Sequence, residues 1–178
     1  MRVWKSLIII ASAITLGFTS CPEEENEQIE PVNELKEVRV FLPKLSETNF
    51  DLDYVEPVIR TTPRRDVEEF AIEQVIAGPN ETEKEEGFTE AMNINYFVGE
   101  SNCGGENFTL AISQGVAILQ FCRAVATAGI GDDVRISSSL EATLKEFDRV
   151  NSVVILNRNG DCFKDLSGEN LCLKNVPE

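Results

Sequence analysis

The chain has 178 residues, five of them Cys and none His, and its 42% apolar fraction supplies a core for one ordinary domain plus extras. With 16 Lys and Arg against 31 Asp and Glu, the net charge of −15 argues against a nucleic-acid groove, which needs a basic stripe to neutralise phosphates. The missing histidine removes Ser-His-Asp and Cys-His catalysis and His-ligated zinc, leaving carboxylate chemistry, thiol chemistry or none.

Arg2 and Lys5 precede an apolar run from Leu7 to Phe18, which is shorter than the ~20 residues a helix needs to span a bilayer. A basic start, a short apolar stretch and small residues before a cleavage point describe an export signal over residues 1–20. The stretch closes Phe18-Thr19-Ser20-Cys21 and resembles the bacterial lipobox, in which the cysteine is lipidated and becomes the new N-terminus. A plain secretory signal, with Cys21 left as a spare thiol, is the other reading. Residues 21–37 hold seven Glu and one Lys and are expected to be a solvated acidic tether. Two of the 16 cations lie in the signal and no acid does, so its removal takes the net charge to −17. Anionic headgroups would repel such a surface, and membrane contact is therefore expected through the lipid on Cys21 alone.

The remaining residues, 38–178, are expected to fold as one domain. Val38 to Leu42 alternates like a half-buried strand, and a second extended run covers Leu52 to Arg60. Asp66 and Glu69 are spaced as a capping box for a helix with Val67, Phe70, Ala71, Val75 and Ile76 on one face, and Gly78-Pro79 stops it. Asn80 to Gly87 reads as an acidic surface loop and Asn93 to Val98 as a short strand. Phe108–Ile112 and Val116–Phe121, turning at Gln114-Gly115, form a hairpin. Ser138 and Glu141 are placed to cap a helix that turns Leu140, Leu144 and Phe147 inward. Val153 to Leu156 is a buried strand, followed by a turn at Asn159-Gly160. The expected class is α+β, a single mixed or antiparallel sheet with two helices packed on one face.

Without Cys21 an even set remains: Cys103, Cys122, Cys162 and Cys172. In an exported chain this implies disulfides, for which four cysteines allow three pairings. Cys103 and Cys122 flank the hairpin and Cys162 and Cys172 lie ten apart, which favours those two pairs. Zinc held by four reduced thiols is the alternative, and it lacks any CxxC spacing.

The strand end Val58-Ile59-Arg60-Thr61-Thr62-Pro63, the helix stop Gln74-Val75-Ile76-Ala77-Gly78-Pro79 and the segment Glu86-Gly87-Phe88-Thr89 resemble the GerMN domain, a family of sporulation and spore-germination proteins. The hairpin is similar to its central strands, Ser139 to Phe147 to its second helix, and Val150 to Ile155 to its last strand, over about Val38 to Phe163. The resemblance implies a non-enzymatic extracytoplasmic domain, often carried on lipoproteins and supporting envelope assemblies in spore formers. It does not by itself carry a sporulation role.

Several groups invite chemistry. A glycosidase pair needs two carboxylates held ~5–9.5 Å apart, one with a raised pKa, whereas Glu68, Glu69 and Glu73 are placed on a solvated helix face and Glu81 to Glu86 in a loop. Asn157 to Asp161 and Asp132-Asp133 invite calcium, but lack the bidentate acid at fixed spacing, and a turn and a helix cap explain them. Cys103 as a reactive thiol would need a cation nearby, and its neighbours are Glu100 and Glu106. Arg60, Arg64 and Arg65 form a basic cluster in an acidic chain, either complementing nearby Glu or meeting an acidic partner. No catalysis, cofactor or metal is therefore expected. The favoured function is a membrane-anchored, extracytoplasmic interaction or scaffold module, engaging an envelope protein or its own copies. The alternative is a lipoprotein binding cell-wall glycan or a small solute. Against the glycan, the one Trp lies in the signal, and sugar platforms use aromatic rings.

Overall fold

The computed structural model describes residues 34–44 and 51–176. Cys21, the signal and nearly all of the acidic tether lie outside the described residues. In β1 (Lys36–Pro43) the alternation works as read: Val38, Val40 and Leu42 are buried while Glu37 and Arg39 face solvent. It pairs antiparallel with β2 (Val55–Thr62). Helix α1 (Val67–Ala77) buries Ala71, Ile72 and Val75, and Gly78 closes it with φ 74°, donating its N–H to the Gln74 carbonyl at 3.1 Å.

The start of α1 departs from expectation. Asp66 is the N-cap residue but makes no side-chain cap bond, because the Arg64 guanidinium draws its carboxylate away, Nε donating at 3.2 Å. The capping box sits one element later instead. Asn80 accepts from the Glu83 N–H and Glu83 from the Asn80 N–H, both at 2.9 Å, and a short α2 (Glu81–Glu85) forms where a loop was expected. Residues 88–92 then enter the core, with Phe88, Ala91 and Met92 buried. Ile94–Tyr96 is a 3-10 turn rather than a strand, so β3 keeps only Phe97–Val98, paired with β6 (Ala124–Val125).

The hairpin of β4 (Phe108–Ser113) and β5 (Val116–Phe121) closes on Gln114 and Gly115, both at positive φ. From β6 the chain passes into α3 (Ile130–Lys145), which begins eight residues before Ser138. Its N-cap, Gly129, makes no side-chain cap bond, the Asp132 carboxylate accepts the Ala128 N–H just ahead of it at 2.7 Å, and Ser138 lies mid-helix. Ile136, Leu140 and Leu144 recur every fourth residue and are fully buried, each contributing about 1.5–3 kcal/mol through area removed from water. β7 (Ser152–Leu156) returns parallel to β5.

The strands make three sheets, not the single one expected: β1–β2, β3–β6 and β4–β5–β7. Alternation identifies a buried face but not a neighbour, and on the edge away from β2 the strand β1 meets α3 rather than a further strand. The Phe41 N–H donates to the Thr143 hydroxyl of α3 at 2.9 Å, and Val38, Val40 and Leu42 join the helices in one core. The front of the three-stranded sheet (Ala117, Leu119, Phe121, Ile155) feeds the same core, while Val116, Val154 and Leu156 on its back are covered by Cys172 and Val176. Among the described residues no helix is long and apolar enough to cross a membrane.

Candidate functional site

The three arginines diverge. Arg60 extends from β2 to Glu83 of α2, Nη1 and Nη2 donating to its two carboxylate oxygens at 2.5 and 2.8 Å, with 14% of the Arg60 side chain exposed. These bonds hold the Glu83 carboxyl below its ordinary range. Arg64 is occupied by Asp66 and by Glu73 at 2.5 Å. Arg65 is exposed and has no ion-pair partner among the described residues. The structure thus separates two arginines tied to acids of their own fold from one that is free.

The carboxylates are also unequal. Glu68, expected on a solvated face, is 8% exposed and accepts from Arg149 Nε at 2.6 Å. The intervening loop brings Arg149 back over α1, a contact 81 residues apart that no local pattern reveals. Glu69 and Glu73 do face outward. With Ile76 they form one wall of a groove of about 510 Å³, whose other wall runs from Glu106 to Leu110 along β4. The groove continues past Leu110 to Ile112, Arg65 and Arg149.

Strand chemistry defines its floor. The hairpin closes at the pair Ser113–Val116, so Ser113, Ala111 and Thr109 exchange hydrogen bonds with β5. Phe108, Leu110 and Ile112 therefore point their peptide N–H and C=O away from β5, and β4 has no second strand neighbour. Their side chains turn half-buried toward the core. The opposite edge is closed: the Phe163 N–H donates to the Ile155 carbonyl at 2.9 Å, and Cys162 bridges Leu156. Sequence reasoning saw the hairpin but not its open side, which depends on strand order; the missing signal is that Phe108–Ser113 carries neither Pro nor Lys to guard an edge.

The cysteines join as Cys103–Cys122 and Cys162–Cys172, with Cα atoms 5.6 and 6.0 Å apart. The first holds the 101–107 loop beside the start of β4, where the Cys122 N–H donates to the Asn107 carbonyl at 2.8 Å. The second ties the C-terminal turn (Leu171–Asn175) over the back of the sheet. Asn157 accepts the N–H groups of Asn159 and Asp161 at 2.8 and 3.1 Å, a turn in place of a calcium loop. Among the described residues no group of three or more His, Cys, Asp or Glu is arranged to hold a metal ion.

A second hollow of about 250 Å³ lies between α3, β7 and the C-terminal loop, lined by Val153, Ile155, Phe163 and Leu171. The chain is similar to a solved structure titled tandem GerMN domains of the sporulation protein GerM from Bacillus subtilis. The TM-score is 0.48 and the identity 17%, over 79% of this chain and 48% of that one. The chain spans about half the length of that structure. No protein-family model matches the sequence, and no curated protein matches it.

Proposed function

We propose that the chain is an extracytoplasmic lipoprotein, anchored through Cys21, whose GerMN-like domain is a non-catalytic interaction module of the cell envelope. The observation that supports it best is the groove along β4. It ends on an open strand edge, which is a surface for another polypeptide. The order of basic start, apolar run and Cys21 supports the anchor. Site-specific photocrosslinking in intact cells tests the module. Probes at Thr109 or Ala111 are expected to trap a protein, and no adduct from any exposed position of the domain would overturn the reading. Labelling with a palmitate analogue tests the anchor: signal is expected in the wild type and lost in Cys21→Ser, and an unlabelled wild type refutes it. The apolar lining of the smaller hollow favours a second reading, a small-solute carrier, although its volume falls below the ~300–1,000 Å³ usual for ligand pockets.

A further inference from the structure

We infer that the groove between α1 and β4 receives an extended, basic polypeptide strand, which adds to the free edge of β4 and sets its cationic side chains against α1. The inference deepens the interaction-module reading and rests on it. Three observations converge. First, the N–H and C=O groups of Phe108, Leu110 and Ile112 face away from β5 along an edge with no strand partner, so a fourth strand has a ladder waiting. The longer described edges are blocked, β7 by 161–163, β1 by Thr143 and by the Thr89 N–H on the Pro43 carbonyl at 2.8 Å, and β2 by Pro57, which has no N–H to donate, while β3 and β6 are only two residues long.

Second, side chains of an added strand alternate between two surroundings. Those on the front meet Ile76 and the exposed carboxylates Glu69 and Glu106, neither of which has an ion-pair partner among the described residues. A Lys or Arg suits that wall, its aliphatic stem lying on Ile76 and Leu110 and its head reaching the acids. Those on the back lie beside Thr109, Ala111 and Ser113, which are small and exposed and favour β-branched neighbours. Third, the chain as a whole carries −15, which attracts a cationic partner at long range and opposes a second copy of itself.

The test uses the full chain and three labelled eight-residue peptides, acetylated and amidated: alternating Lys-Val, the same with Glu for Lys, and Lys and Val in separate blocks. The alternating Lys peptide is expected to bind more than tenfold tighter than either control by fluorescence anisotropy, and to weaken with salt. On binding, the Leu110 and Ile112 amides are expected to gain hydrogen-exchange protection. Glu69→Lys with Glu106→Lys changes two exposed side chains and is expected to remove most of the affinity while leaving the fold intact. Leu110→Pro deletes one outward N–H and is expected to do the same where its far-UV spectrum stays native. Equal binding of the block peptide, or protection confined to other elements, overturns the proposal. So does a free chain that is already a dimer with the β4 amides protected, which would make the edge a self-interface. An envelope crosslink mapped elsewhere on the domain would overturn the β4 site while leaving the interaction-module reading in place.

Discussion

Glu83 receives both Arg60 nitrogens and the Asn80 N–H with only 13% of its side chain exposed, so it cannot lose its charge without cost. Its pKa is lowered from 4.5 chiefly by the hydrogen bonds from Arg60, and a depressed carboxyl adds stability that is complete above its unfolded value and lost as pH falls through the folded one. The wild type is therefore expected to lose urea resistance as pH falls below about 4.5 more steeply than Glu83→Gln. At neutral pH that variant leaves a nearly buried guanidinium half-paired, and is expected to cost about 2 kcal/mol in equilibrium unfolding. Gly115 is constrained differently. Its φ is 81°, its carbonyl accepts the Asn151 and Ser152 N–H groups at 2.7 and 3.1 Å, and a Cβ there would collide with the Asn151 amide. Gly115→Ala is expected to destabilise by about 1–3 kcal/mol, and by clearly more than Gly131→Ala in α3, where a Cβ meets only ordinary van der Waals contacts and φ is not positive. A urea series on the two variants checks the order.

Among the elements, the C-terminal turn depends most on one covalent bond. Cys172 and Val176 cover Val116, Val154 and Leu156, and the bridge to Cys162 holds them there. Replacing both cysteines by Ser is expected to cost about 3 kcal/mol in thermal or urea unfolding and to expose the back of β7 to apolar dyes. Peptide mapping under non-reducing conditions checks the pairing itself. What the sequence disclosed follows the reach of each signal. The hairpin was legible because strand alternation and the glycine turn lie within 14 residues, Phe108 to Phe121, and α1 because Gly78-Pro79 ends it. The start of α3 was hidden because its N-cap Gly129 and the Gly131 of its first turn carry no side chain that signals a helix start. α2 was readable in principle from Asn80 and Glu83, but the density of charge suggested a loop. The division into three sheets, the Glu68–Arg149 pair and the open side of β4 all depend on which distant segments become neighbours, and no local period encodes that.

At the scale of the molecule, charge and topology act together. Most surface acids belong to a repulsive field, and the fold neutralises selected ones locally: Arg60 with Glu83, Arg64 with Asp66 and Glu73, and Arg149 with Glu68. At the β4 groove Glu69 and Glu106 have no ion-pair partner among the described residues, and they stand beside the open strand edge, which makes that region the candidate contact. The two disulfides add a consequence for how the chain reaches this state. Each of the four bridged cysteines is joined to its nearest neighbour in sequence, across separations of 19 and 10 residues. Short loops close with the smallest entropic penalty, so a fully reduced, unfolded chain oxidised among these four meets the native partners more often than the crossed ones. Refolding from denaturant in a glutathione buffer is therefore expected to give the native isomer as its main early product, with little acceleration by an added disulfide isomerase. A population of scrambled isomers that only the isomerase resolves would show instead that the core must form before the sulfurs can choose correctly.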